Sequence, residues 1–432
     1  MTADWLLVVA FGVMLLLFML RMPVAFVMGL VGFVGFAVLV SNRAAYAIVA
    51  KNVWTTFSSY DLTVVPMFVF MGTIAFYSGI SGRLFDTTHT FLGARRGGLS
   101  VATIVACAGF AAICGSTNAS AAAMSKATLP EMKRYNYAPS LATGSVAAGG
   151  TLGILIPPSA IFIIYGIMTE QSIGRLFAAG IIPGIILTLL FIATILVQCR
   201  LRPDLAPAGQ RTTWKRKLVS LSGVIEALLL FILVMGGLFV GWFTPTEAGA
   251  VGAGGALLIS LFRGRLSRAS LWAALAETTK ITCMIFVIVT GAIILGRFLA
   301  LTRVPFELAG WVGSLPLPPW AIMALIILGY LLGGCFMDSL ALITLTIPVL
   351  FPVIGTLGYD PIWFGVIIVL VTEMGVITPP VGINVYVIKG VAREVPLETI
   401  FKGVGPFLIA IILTIIALIA FPGLALFLPG LI

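Results

Sequence analysis

The chain has 432 residues, of which 60% are hydrophobic and only 9% charged. No soluble domain of this length needs so much apolar side chain, so a polytopic helical membrane protein is expected and a soluble enzyme is excluded. The formal charge of +10 sits between apolar runs, where it reports topology rather than affinity for nucleic acid.

The first apolar run, about 5–20, has no basic leader and no small-residue cleavage site, so it reads as a retained span. Spans follow at about 23–40 and 62–80, then a connecting arm over 83–97. Two apolar arms fill about 98–130 and meet at Cys114-Gly115-Ser116-Thr117-Asn118. Arms of about 14 residues are too short to cross, which predicts a re-entrant hairpin. A broken span at about 138–169 and a span at about 176–198 complete the first half. The linker 199–217 is basic, with Arg200, Arg202, Arg211, Lys215, Arg216 and Lys217. The order then recurs. Spans lie at about 218–240, 245–262 and 281–300, an arm at about 301–316, and a second hairpin at about 318–352 with its tip near Gly334–Ser339. A second broken span, about 361–388, and a last span, about 403–424, close the chain.

This reading is an all-α polytopic membrane protein of two inverted repeats, 1–198 and 218–432, each with five spans (one broken) and one hairpin. A hairpin returns to its own side, so an odd number of spans inverts the second half. With the N-terminus outside, about twenty of the 25 Lys and Arg fall inside. The first hairpin then opens from the cytoplasm and the second from the periplasm. Pro23 and Pro245, Gly32 and Gly254, and Pro130 and Pro348 support the repeat through a shared offset of roughly 217–222 residues.

The strongest signal is a duplicated helix breaker. Gly153-Ile154-Leu155-Ile156-Pro157-Pro158 recurs as Gly375-Val376-Ile377-Thr378-Pro379-Pro380. A Pro pair deletes helical hydrogen bonds and frees carbonyls. In lipid, freed carbonyls are tolerated only where they line a cavity or are buried in protein. Paired breaks in two halves point to a transporter's substrate and ion site. Polar residues gather at the same places: Gly115, Ser116, Thr117, Asn118 and Ser120 with Thr151 and Ser159 in the first half, and Asp338, Ser339 and Thr344 with Glu373, Thr378 and Asn384 in the second. Neutral oxygens and freed carbonyls suit the hard cation Na⁺, and exposed helix N-termini favour an anionic group. A carboxylate at membrane depth costs roughly 2.5–3.5 kcal/mol, so Asp338 and Glu373 need a purpose. Arg297 lies within a span, where it would either meet a substrate carboxylate or snorkel to the interface. Trp5, Trp54, Trp242, Trp311, Trp320 and Trp363 sit near span ends, as in an aromatic belt. His89 is the only histidine, the five cysteines have no ligand spacing, and no phosphate-binding Gly-rich Lys-Ser/Thr loop exists. No enzyme chemistry, organic cofactor or ATP hydrolysis is therefore expected.

The segments Gly115–Ala123, Leu129–Met132, Gly150–Ser159, Leu176–Gly184, Gly334–Asp338 and Thr378–Asn384 together resemble the large membrane subunit of tripartite ATP-independent periplasmic (TRAP) transporters. The resemblance covers essentially the whole chain. It implies Na⁺-coupled symport of a small organic acid across the bacterial inner membrane by an elevator motion. It also implies two partners, a small four-helix membrane subunit and a periplasmic substrate-binding protein. By match to the family's motifs, one sodium or substrate clamp comprises Gly115, Ser116, Thr117, Asn118, Gly150, Thr151, Pro157, Pro158 and Ser159. The other comprises Gly334, Met337, Asp338, Ser339, Thr378, Pro379, Pro380, Gly382 and Asn384. Glu373 and Arg297 are secondary candidates. The rival expectations are a stand-alone Na⁺/dicarboxylate symporter and, more remotely, a non-transporting subunit of a larger membrane complex.

Overall fold

The computed structural model describes residues 3–209 and 212–432. Among them every regular element is a helix, apart from one bridge between Arg96 and Ala208. The first half runs α1 (Ala3–Met19), α2 (Val24–Leu39), α3 (Asn42–Phe57), α4 (Val64–Tyr77), α5 (Ile80–Leu92), α6 (Gly98–Cys114), α7 (Thr117–Arg134), α8 (Pro139–Leu155), α9 (Ala160–Thr169) and α10 (Ile173–Leu201). The second half opens with α11 (Trp214–Ser220) and α12 (Ser222–Phe231). A π-helical turn, Ile232–Gly236, leads into α13 (Gly237–Phe239). Then come α14 (Pro245–Phe262), α15 (Arg268–Leu301), α16 (Val304–Ser314), α17 (Pro319–Gly334), α18 (Ser339–Thr356), α19 (Pro361–Gly375), α20 (Ile383–Val391), α21 (Leu397–Ala420) and α22 (Gly423–Leu426).

Most expected boundaries agree with these helices to within a few residues, with five differences, the first being α15, which begins at Arg268 and not near 281. Helix α3 lies between two expected spans, in a stretch to which no element was assigned; Arg43, Lys51 and Asn52 interrupt its apolar pattern. Ser41 caps it by accepting from the Ala44 N–H, and it meets the following segment at 55°. The 199–217 linker is partly helical, since α11 begins at Trp214. The hairpin arms are 16 to 18 residues long, so shortness does not set them apart from spans. Finally, among the described residues seven helices are long and apolar enough to cross a membrane, or eight with the bent α3–α4 pair. Ten spans were expected. Helices α1 and α2 have only 17 and 16 residues, at the lower limit for crossing.

The two helices that precede the breaks form the centre. Leu141–Leu155 of α8 and Ile362–Gly375 of α19 are buried throughout, as helices apolar on all sides must be. The halves interlock around them. Helix α2 packs on α15, α14 on α4, and α21 on α8. Helix α7 packs on α20 and α9 on α18, so each hairpin touches the post-break helix of the other half. Trp363 departs from the aromatic-belt expectation. It is buried, stacks on Tyr359 and donates from Nε1 to the Leu418 carbonyl at 2.9 Å.

Small residues allow the tight crossings, as is usual between membrane helices. A Cβ on Gly32 would lie 2.7 Å from the Leu295 backbone, and one on Gly291 would strike the Ala25 carbonyl. Gly254, the offset partner of Gly32, has nothing within 4 Å. Gly291→Leu is therefore expected to lower the melting temperature in detergent sharply, while Gly254→Leu leaves it near that of the parent. Equal melting of the two variants would show that the α2–α15 crossing does not depend on this contact.

Candidate functional site

Local chemistry places most of the expected residues at helix starts. Ser116 begins α7 and accepts from the Ala119 N–H at 3.4 Å. Ser159 begins α9 and accepts from the Phe162 N–H at 3.4 Å. The Asp338 carboxylate begins α18 and accepts from the Leu340 N–H at 3.1 Å. Side-chain oxygens at N-caps satisfy backbone donors that a helix leaves free. Both Pro pairs, Pro157-Pro158 and Pro379-Pro380, contain a cis peptide bond.

Each hairpin tip touches the break of its own half. Gly115, at φ +63°, hydrogen-bonds through its carbonyl to the Ala160 N–H at 3.5 Å. A Cβ there would lie 2.7 Å from the Pro158 carbonyl oxygen. Gly153 is equally close, with its Cβ position 2.7 Å from the Ser116 carbonyl oxygen. In the second half, the Cβ position of Gly334 is 3.2 Å from the Gly375 Cα. The breaks differ in exposure: Pro157 and Pro158 are buried, whereas Pro379 and Pro380 are exposed.

The two tips meet at one carboxylate. Glu373 is 1% exposed. It accepts from the Thr117 hydroxyl at 2.9 Å and from the Ser339 hydroxyl at 3.3 Å. It thus ties the first hairpin tip to the second from the last turns of α19. A cavity of ≈ 150 Å³ lies over this junction, and Ser116, Thr117, Asn118, Asp338, Ser339 and Glu373 line it. The opposite wall comes from α4 and α15. It contributes Thr73, whose hydroxyl is 2.9 Å from that of Thr278, and Glu277, which accepts from the Tyr77 hydroxyl at 2.7 Å. The lining therefore holds three carboxylates, Glu277, Asp338 and Glu373, and no Lys or Arg.

Not every expected residue reaches this cavity. Thr151 donates to the Ala148 carbonyl at 2.7 Å within its own helix, and Thr378 donates to Met374 at 2.6 Å. Met337 is partly exposed beside Asp338. Gly382, at φ +62°, starts α20. Arg297 is exposed on α15, away from the cavity. Asn384 was expected in the second clamp. Its backbone N–H does donate there, to the Val376 carbonyl at 3.1 Å, but its side chain points at the first. Its Nδ2 lies 3.4 Å from the Cβ position of Gly150, beside Ala121. Asn384 is fully buried, and among the described residues neither amide atom has a hydrogen-bond partner; the buried Ser120 hydroxyl has none among them either. Buried polar atoms are normally paired, so orphans gathered at one place call for a further partner. Sequence reasoning missed Glu277 and Tyr77, which become a pair only when α4 meets α15.

A many-helix membrane protein in which two hairpin tips and two broken helices meet at one cavity has the build of a membrane transporter. The fold agrees: the YdaH transporter of Alcanivorax borkumensis superimposes with a TM-score of 0.62 over 90% of this chain and 88% of its own, at 14% identity. The "C4-dicarboxylate TRAP transporter large permease protein DctM" of Pseudomonas aeruginosa is 35% identical over 88% of this chain and 89% of its own. The "Isethionate TRAP transporter permease protein DctMQ" of Oleidesulfovibrio alaskensis is 33% identical over 99% of this chain and 67% of its own. Residues 11–424 match the family described as "Tripartite ATP-independent periplasmic transporter, DctM component", and the chain belongs to that family.

Proposed function

We propose that this chain is a Na⁺-coupled symporter of the bacterial inner membrane. In this reading it imports a small organic acid delivered by a periplasmic binding protein, assisted by a small membrane subunit. The DctMQ relative extends beyond the matched region, where a fused small subunit would lie. Relatives named for C4-dicarboxylate, isethionate and sialic acid transport support an acid as substrate class.

The observation that carries the reading is the charge of the cavity. An acid entering a space lined by Glu277, Asp338 and Glu373, with no basic side chain, meets no countercharge unless cations enter with it. Na⁺ bound at the clamps supplies those cations, which makes coupling obligatory. Ser120 and Asn384 offer unpaired oxygens beside the Gly150–Gly153 stretch, and oxygen is the donor that hard cations prefer. The order of elements from α2 to α10 returns from α14 to α21. With an odd number of spans per half, this gives two inverted repeats with the N-terminus periplasmic. The hairpins, α8–α9 and α19–α20 form the moving elevator. Helices α2, α4, α14 and α15 form the fixed frame, with Glu277 on its wall.

Reconstitution in proteoliposomes with both partners tests this. Uptake should require an inward Na⁺ gradient and the binding protein, and should fail when K⁺ replaces Na⁺. Uptake without the binding protein would favour a stand-alone symporter. Asp338→Ala is expected to weaken Na⁺ dependence about tenfold or more, the value of one charge-assisted contact. Normal Na⁺-coupled uptake by folded Asp338→Ala would remove Asp338 from the mechanism.

A further inference from the structure

A second polar constellation lies away from the cavity, where α5, α12 and the end of α14 converge. Glu226 of α12 is 5% exposed. Its carboxylate lies 2.6 Å from Arg83 of α5, 3.0 Å from Arg263 and 3.4 Å from Arg265. Gly223 brings α12 down onto α5, since a Cβ there would lie 2.9 Å from that of Arg83. The Thr87 hydroxyl donates to the Ser220 carbonyl at 2.6 Å in the same seam.

Structural pairing accounts for only part of this. Arg83, 21% exposed, and Glu226 already make a close buried pair. Arg263 and Arg265 are 50% and 37% exposed, and they bring two further positive charges to the same carboxylate. Three guanidiniums on one carboxylate leave a net charge of about +2 at one point, and such like charges repel strongly at a low-dielectric boundary. The Arg83 Nε is buried and has no partner. Next to the cluster, Phe262 and Leu261 of α14 are 85% and 51% exposed and Ile225 of α12 is 52% exposed, as lipid-facing side chains would be. The basic linker and α11 border the same seam, with α11 packed on α5.

We propose that Arg83, Arg263 and Arg265 form a phosphate-binding site at the membrane boundary, occupied by the headgroup of an anionic phospholipid. Guanidiniums match phosphate oxygens in a bidentate way, and basic pockets between spans hold anionic headgroups. The ligand's phosphate would take the donors that Glu226 leaves over, and its acyl chains would lie along Phe262 and Leu261. An occupied site would also fix α5, the arm leading to the first hairpin.

The full-length protein is placed in nanodiscs of phosphatidylcholine alone or with phosphatidylglycerol, and thermal melting and lipid retention by native mass spectrometry are read. Phosphatidylglycerol should raise the melting temperature of the parent and remain bound. The Arg263→Gln/Arg265→Gln pair should retain it about tenfold less or weaker still. Arg200→Gln/Arg202→Gln, in the basic linker, should behave as the parent. Inorganic phosphate added to phosphatidylcholine discs separates the sources. If it reproduces the stabilisation in the parent and not in the pair, the site stands as a phosphate site but its lipid occupant is overturned. Equal response of parent and Arg263→Gln/Arg265→Gln to both anions overturns the site. Should that pair fail to fold, Arg265→Gln alone, which removes the most distant of the three, is held to the same outcomes.

Discussion

Replacing Glu373 with Leu is expected to lower coupled uptake by about 100-fold or more, because it removes two hydrogen bonds to a charged acceptor. Thr117 and Ser339 would each lose their common partner, and the two hairpin tips would no longer be tied. Glu373→Gln keeps the shape and one carbonyl acceptor. It is expected to fold and to hold the tips together, while removing a negative charge from the cavity. The two variants therefore separate the tie from the charge. Loss of uptake in both, with normal melting, assigns the effect to charge; loss in Leu alone assigns it to the tie. Parental uptake by a folded Glu373→Leu protein would sink the role of this residue altogether.

Asn384 gives the second large effect, and its sign is unusual. Its amide is fully buried without a partner, which costs roughly 1–3 kcal/mol in the empty protein. Asn384→Leu should therefore melt higher than the parent in Na⁺-free buffer. If the amide holds Na⁺ as proposed, the order should reverse in saturating Na⁺, since the variant would lose the binding energy that stabilises the parent. Sodium-dependent melting curves of both proteins decide the matter. A variant that is destabilised without Na⁺ and still stabilised by Na⁺ would show that the amide is no ligand. Adding Ser120→Ala should deepen the loss of Na⁺ response, because both orphaned groups flank the same Gly150–Gly153 stretch.

The breaks at Pro157-Pro158 and Pro379-Pro380 were legible because proline acts on the backbone itself, whatever surrounds it. The hairpin tips were legible for a similar reason: Gly115 needs a left-handed backbone, and Ser116 and Asp338 are good N-caps. Helix α3 was hidden because its apolar pattern is broken by the exposed Arg43 and Lys51 and by Asn52, which is polar in sequence and yet buried in the structure. Glu277 was hidden because its meaning is tertiary: only the crossing of α15 over α4 gives it Tyr77 as a donor and the cavity as a neighbour. Asn384 was found, but placed with the wrong partner. Its position in the chain follows the second break, and nothing in local sequence reports that α20 lies across α7.

That crossing sets an order for biosynthesis. The first hairpin, finished at Arg134, faces a helix that begins only at Ile383. Until the ribosome has made most of the chain, Ser120 and Gly150 wait in the bilayer without the amide that completes their site. Insertion of the first hairpin and its packing against α20 are therefore separate events, with some 250 residues of synthesis between them. The polar tip stays uncovered by α20 for that whole interval.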